Sequence, residues 1–167
     1  MELELRMYSL VLYQLSGTIH AGIQAYHSTI EATNQFDNPN SINEELFKDW
    51  SKNWKTVIIL SGGSSITMKD NYEKLYENGI GFSSFFEPDL GDQLTSVSFL
   101  VDERVFLRDL YKNFEPETIP LSKNKPSEKQ LKELETINAN NYLAWVDSVG
   151  GVKNVFLRDF LKNFKLA

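Results

Sequence analysis

The chain has 167 residues, of which 41% are hydrophobic and 24% are charged, and its formal net charge is −6. This length predicts one domain that can bury a core without a metal or disulfide staple. The absence of cysteine excludes disulfides, thiolate metal sites and thiol nucleophiles, and no apolar run approaches the ~20 residues that span a bilayer.

The charge and the N-terminal residues restrict partners and location. Glu2 and Glu4 stand where a signal peptide carries basic residues, so residues 1–15 are interpreted as part of the fold and the protein as cytoplasmic, without a membrane partner. The chain carries −7 up to Val101 and +1 from Asp102 onward. A polyanion such as tRNA would therefore be repelled at long range by the first part.

The first two predicted elements are a strand and a helix. Residues 5–15 are rich in aromatic and aliphatic side chains, as in a strand buried on both faces. Ser16, Gly17 and Thr18 break this run and offer helix N-caps. Residues 19–34 then have helical spacing, with an apolar stripe formed by Ile19, Ile23, Tyr26 and Ile30.

The next segments complete an α/β pattern up to Val101. The predicted elements are a short helix at 44–54, a strand at 56–60, a helix from Ser64 or Ser65 to Glu77, a strand at 80–86 and a strand at 95–101. Gly79 stops the second long helix, and residues 87–92 form an acidic turn. The order of elements predicts a four-stranded mixed sheet flanked by helices.

From Asp102 the pattern is helical. Helices are predicted at 102–114, 126–137, 141–148 and 152–164, with residues 115–125 as the best linker candidate. We expect residues 1–101 to form the α/β core and residues 102–167 to form a helical extension that packs on it within one domain.

Two decapeptides in this extension are nearly identical. Residues 105–114 read VFLRDLYKNF and residues 155–164 read VFLRDFLKNF. On a helix, each would place its aromatic and aliphatic side chains on one face. One interpretation is that an amphipathic helix packs twice on the sheet. The alternative is that one copy docks on a protein partner or on a second subunit.

A polar stripe on the first long helix is the candidate site. His20, Gln24, His27 and Glu31 share one face, which is either the hydrated side of an amphipathic helix or a site near the helix N-terminus. His20 and His27 are about 10 Å apart by helix rise, too far for one zinc, so no metal is predicted. Glu87 also follows a strand and could meet this stripe if the first and third strands are parallel neighbours.

These residues together resemble peptidyl-tRNA hydrolase type 2. That family has a glycine- and lysine-rich turn leading into a helix with Ala-Ala-Gln-x-x-His-Ala, then an acidic turn after a strand and a threonine in the last strand. Gly17, Gln24, His27, Glu87 and Thr95 follow this order over residues 7–101, and the sequence also looks similar to divergent bacteriophage proteins of this kind. The extension lies outside the resemblance.

The resemblance implies cleavage of the ester of peptidyl-tRNA, or of a related aminoacyl ester, by water activation without a metal or other cofactor. It assigns catalysis to His20, Gln24, His27, Glu87 and Thr95, and substrate binding to Gly17, Thr18 and Asp89. Thr18 and His20 stand where the family has lysines that engage phosphates. The alternative is an inactive module of the same fold that binds a protein partner, or a second copy, through its helical C-terminal region. A small-ligand binding protein using the same strand-edge pocket is the third possibility.

Overall fold

The computed structural model describes residues 3–15, 17–119 and 126–167, and shows an α/β fold in a single domain. Four strands and six α-helices are described in these ranges. They are β1 (Leu5–Leu12), α1 (Thr18–Asn34), α2 (Glu44–Asp49), β2 (Val57–Gly63), α3 (Ser65–Glu77), β3 (Phe82–Glu87), β4 (Gln93–Asp102), α4 (Glu103–Phe106), α5 (Glu128–Ser148) and α6 (Val152–Phe160). None of the described helices is long and apolar enough to cross a bilayer.

The strands form one mixed sheet in the order β2-β1-β4-β3. β1 is parallel to β2, and β4 is antiparallel to both β1 and β3. The predicted four-stranded mixed sheet is therefore confirmed. The first and third strands, whose pairing was the condition for Glu87 to meet the stripe of α1, are not neighbours, because β4 lies between them. β1 and β3 nevertheless run in the same direction and end at the same edge.

Helices cover both faces of the sheet. On one face, α3 and α6 bury Met68, Leu75, Leu157 and Phe160 against β1 and β4, including Leu10 and Phe99. On the other face lie α1 and α2, which is extended by a π-helical turn, Trp50–Trp54. Two smaller clusters there contain Met7 with Phe47 and Trp50, and Val11 with Ala21 and Ala25. The core thus has three layers.

The helix boundaries follow capping signals in the sequence. Asn43 and Ser64 cap α2 and α3 by accepting hydrogen bonds from Leu46 N and Thr67 N. After α3, Gly79 has a φ of +62°, which suits the predicted glycine stop. Ser127 and Gln130 form a capping box at the start of α5, and α5 continues through the two helices predicted at 126–137 and 141–148.

The face of α1 that packs on the sheet is not its apolar stripe. Its apolar stripe points away from the sheet, and Ile19, Ile23, Tyr26 and Ile30 are exposed. The side chains that face the sheet are small or polar: Ala21, Gln24, Ala25, Ser28, Thr29 and Ala32 are all buried. Serines on β4 form hydrogen bonds with this polar face. Ser96 Oγ donates to Gln24 O (2.6 Å), and Ser28 and Ser98 share a hydrogen bond of 2.7 Å.

The two similar decapeptides do not adopt the same backbone. The second is helical through Phe160 and buries Leu157 and Phe160 in the core. The first is helical only to Phe106 and continues in turns, so the helix predicted at 102–114 is wrong beyond that residue. Among the non-helical turns of the first segment, the buried guanidinium of Arg158 donates to Arg104 O, Tyr111 O (2.7 Å) and Asn113 Oδ1 (2.8 Å).

The segment after the first decapeptide lies along α5. Phe114 packs edge-on against Tyr142 at 5.2 Å between ring centroids. Glu117 exchanges two backbone hydrogen bonds with the side-chain amide of Asn138, at 2.7 and 3.0 Å. The described part of the predicted linker, residues 115–119, is therefore held by side chains, whereas residues 120–125 lie outside the described ranges.

Candidate functional site

The site lies where β1 and β3 end and α1 and β4 begin. At this edge three of the predicted residues meet: Gln24 from α1, Glu87 from the end of β3 and Thr95 from β4. Gln24 Nε2 donates to Glu87 Oε2 at 2.8 Å, and Thr95 Oγ1 donates to Gln24 Oε1 at 2.5 Å. Residues far apart in sequence thus form one hydrogen-bonded chain.

A β-bulge directs Thr95 towards this chain. On β4, Ser96 pairs with Phe85 and Leu94 pairs with Phe86, so Thr95 has no partner of its own on β3. In a bulge of this kind two residues oppose one and a side chain is re-aimed. Both Thr95 and Ser96 contact Gln24, which regular alternation would not allow.

The hydrogen-bond pattern fixes the orientation of the Gln24 amide. An ionised carboxylate only accepts hydrogen bonds, so the NH₂ group must face Glu87 and the oxygen must face the Thr95 hydroxyl. Gln24 and Thr95 are buried, whereas Glu87 is half-buried. Gln24 thus holds Oε2 of Glu87, whereas Oε1 has no hydrogen-bond donor among the described residues.

His27 lies one turn after Gln24 but is not hydrogen-bonded to it. Its ring packs on Phe85 with 4.4 Å between centroids and an interplanar angle of 60°. Nδ1 is buried and has no hydrogen-bond partner among the described residues. With Nδ1 buried and unpartnered, Nε2 is the ring nitrogen through which His27 can act.

The other predicted site residues are not part of this chain of hydrogen bonds. His20 is exposed on the first turns of α1, and Asp89 is exposed in the 3₁₀ turn Pro88–Leu90 that joins β3 and β4. Gly17 is the N-cap of α1 and provides no side-chain cap, so among the described residues no side chain caps the first backbone N–H groups of this helix. The side chain of Thr18 is outside what the structure describes. In the described ranges no three His, Asp or Glu side chains converge as metal ligands would.

The sequence prediction did not include Ser96, which holds the backbone of Gln24. Its signal was the alternation of Ser96 and Ser98 with the apolar residues Val97 and Phe99 in the predicted strand. Polar side chains at buried strand positions need partners, and the polar residues of α1 are the partners available.

The segments that build the site carry acidic side chains but no basic ones. The segments that build it, residues 17–35 and 80–101, contain no lysine or arginine, but they contain Glu31, Glu87, Asp89 and Asp92. A phosphate chain would find no side-chain cation on these segments. The backbone N–H groups at the start of α1 are the local feature that attracts an anion.

Comparison with known proteins adds no assignment. No protein-family model matches the chain, and no curated protein matches it.

Proposed function

We propose that the protein hydrolyses an acyl ester, either peptidyl-tRNA or a related aminoacyl ester, at the cluster of Gln24, Glu87 and Thr95. The observation that carries the proposal is the held carboxylate: Gln24 donates to one oxygen of Glu87 while Thr95 fixes the Gln24 amide. The order of these residues is also the basis of the resemblance to peptidyl-tRNA hydrolase type 2.

In this mechanism Glu87 is the general base. Its open oxygen takes a proton from a water molecule as the water oxygen bonds to the ester carbonyl carbon. The oxyanion formed on the carbonyl oxygen accepts a hydrogen bond from Nε2–H of His27. The C–O bond of the ester then breaks, the proton passes from Glu87 to the leaving alkoxide, and a carboxylic acid and an alcohol are released.

Gln24 and Thr95 act by positioning. Neither exchanges a proton with the substrate, because the Gln24 amide is neutral and its hydrogen bonds are already made to Glu87 and Thr95. Their role is to keep the carboxylate in one orientation, and small misplacements of a catalytic group reduce rates by up to about 10²-fold.

The charge of the site favours the smaller substrate. Because residues 17–35 and 80–101 lack lysine and arginine, binding of a long polyanion would depend on other surfaces. We therefore expect a short N-acyl-aminoacyl ester to be cleaved with a kcat/KM comparable to, or above, that of peptidyl-tRNA.

The decisive experiment compares the wild type with Glu87→Gln on both substrates. Loss of the base is expected to lower kcat by about 10²–10⁴-fold with little change in fold, because the amide can still accept from Gln24. The matched control is Asp92→Asn. Asp92 is an exposed carboxylate in the same hairpin with a φ of +57°, which asparagine tolerates, and its removal should leave kcat unchanged.

Gln24→Ala and His27→Ala test the remaining roles, with expected losses in kcat of about 10–10²-fold. A folded wild type without turnover on either substrate would refute the proposal. Equal activity of Glu87→Gln and wild type would remove Glu87 from the mechanism.

The alternative of a partner-binding module stays a prediction. The second decapeptide is not available for docking, because its Leu157 and Phe160 are buried against the sheet. Among the described residues of the C-terminal region, the exposed apolar side chains are Leu110, Val152, Leu166 and four on α5: Leu131, Ile137, Tyr142 and Leu143.

A further inference from the structure

The outward face of α1 is an apolar seam. Ile19, Ile23, Tyr26 and Ile30 are exposed, Ile19 by 75% and Tyr26 by 63%. Single exposed apolar residues are common on protein surfaces, but these four are separated by four, three and four positions. This is the a/d spacing with which one helix packs along another.

The seam carries no charge. α1 contains one charged side chain, Glu31, which is half-buried and lies off the seam near Gln35. The exposed positions beside the seam are His20 and Thr33, with His27 half-buried. A nucleic acid or an anionic membrane would find no lysine or arginine on this helix. An identical helix would meet no opposing like charges.

The apolar surface continues beyond the seam. α1 packs over β3, β4 and β1 but barely reaches β2. An apolar groove of about 430 Å³ therefore opens between Tyr26 and Ile30 on one side and Trp50 on the other, with Val57 and Ile59 of β2 as its floor. The exposed area extends across more than one element, as at a protein interface.

We propose that α1 pairs with α1 of a second copy of this chain, antiparallel across a twofold axis. The seam suits this arrangement because the spacing of its four apolar side chains is the same in both chain directions, and three of the four are isoleucines. Ile19 meets the partner's Ile30 and Ile23 meets the partner's Tyr26, with the axis passing between positions 24 and 25. Antiparallel packing also opposes the two helix dipoles favourably. The proposal of this dimer does not depend on the proposed hydrolase activity.

Sedimentation equilibrium of the full chain tests the pairing. A mass of twice 19.2 kDa is expected at high concentration. Ile23→Glu should weaken the dimer by about tenfold to hundredfold, since it puts a charge at the centre of the seam, where the dimer would bury the isoleucine. Ile19→Glu should weaken it as well. Ile66→Glu is the matched control because Ile66 is exposed by 76%, like Ile19, but lies on α3 at the opposite face of the sheet.

A monomer at every concentration would overturn the proposal, as would equal effects of Ile19→Glu and Ile66→Glu. Circular dichroism of each variant separates loss of pairing from loss of fold. Because the seam positions are exposed, these substitutions should leave the monomer folded. Tyr26→Ser, at the same seam, replaces any variant that unfolds.

The absence of cysteine permits a direct test of the orientation. Ile23→Cys and Tyr26→Cys are prepared separately, mixed and oxidised. Antiparallel pairing predicts that the mixed 23–26 disulfide forms faster than either homodimeric disulfide. Faster formation of the 23–23 and 26–26 disulfides would overturn the antiparallel arrangement.

Discussion

At the scale of single residues, Ser98 organises the interior between α1 and the sheet. Its Oγ lies 2.7 Å from Ser9 Oγ and 2.7 Å from Ser28 Oγ, and Thr29 Oγ1 is 3.4 Å away. All four side chains are buried. Such a network stabilises a fold only while every hydroxyl has a partner. A shift of α1 along β4 would leave buried hydroxyls unpaired, so the network favours one position of the helix.

Ser98→Ala is expected to destabilise the protein by about 1–3 kcal/mol, because the hydroxyl of Ser9 would be left buried without its partner. The double variant Ser9→Ala with Ser98→Ala should lose less than the sum of the single variants. Urea unfolding measures both. Ser148→Ala, at an exposed serine of α5, should change the free energy of unfolding by less than about 0.5 kcal/mol. Strict additivity of Ser9→Ala and Ser98→Ala would contradict the network.

At the scale of elements, the sequence was sufficient for the strands and most helix boundaries. Runs of apolar residues and caps such as Ser64 and Gly79 are local signals, and they predicted the sheet and α3. The orientation of α1 is not local. Isoleucines usually mark the buried face of a helix, but here the alanines and Ser28 allow close approach to strands that present serines.

Three of the predicted site residues are in contact, but their geometry could not be read from the sequence. Gln24 was singled out by the polar stripe, Glu87 by its position after a strand and Thr95 by the family resemblance, and the structure places the three in hydrogen-bonding contact. The bulge that aims Thr95 at Gln24 depends on pairing with Phe85 and Phe86. Likewise, the backbone of the first decapeptide is held through Arg158, which donates to the carbonyl oxygens of Arg104 and Tyr111. Both effects are tertiary and leave no periodic pattern.

Asp102 connects three elements and gives the fold a pH dependence. It ends β4, caps α4 through Arg104 N (3.0 Å) and accepts from Arg104 Nη2 and Asn154 Nδ2, both at 2.9 Å. Burial alone raises the pKa of Asp102, but the hydrogen bonds from Arg104 and Asn154 outweigh it, and the pKa lies below its ordinary value.

A lowered pKa in the folded state means that ionised Asp102 stabilises the protein fully above its unfolded pKa of about 4. This contribution is lost as the pH falls through the lower, folded pKa. Asp102→Asn should therefore cost about 1–3 kcal/mol at neutral pH, and the difference from wild type should shrink below about pH 4. Urea midpoints between neutral and acidic pH measure it. Asp147→Asn, exposed on α5, is the control, and a difference that stays constant with pH would contradict the assignment.

At the scale of the whole molecule, both edges of the sheet are covered by distant segments. Phe82 N at the start of β3 donates to Asn40 O at 3.0 Å, and Gln35 Nε2 donates to Ser84 O at 3.3 Å. At the other edge, the residues after α6 return to β2: Ser61 N donates to Lys165 O (2.9 Å) and Ala167 N donates to Ile59 O (3.1 Å). The helical region thus completes the sheet as well as its core.

Removal of residues 165–167 should therefore expose the outer edge of β2 and promote association through unpaired backbone groups. Two backbone hydrogen bonds are lost, so we expect a destabilisation of about 1–2 kcal/mol together with a rise in light scattering on warming. Leu166→Ala is the control, because the Leu166 side chain is exposed by 77% and its backbone bridge to Leu60 needs no side chain. The truncated chain should aggregate while Leu166→Ala behaves as wild type. A truncated chain that does not aggregate on warming and unfolds at the wild-type midpoint would show that the tail does not protect the edge of β2. Protection of this edge strand against association would then have to come from its own glycines, Gly62 and Gly63.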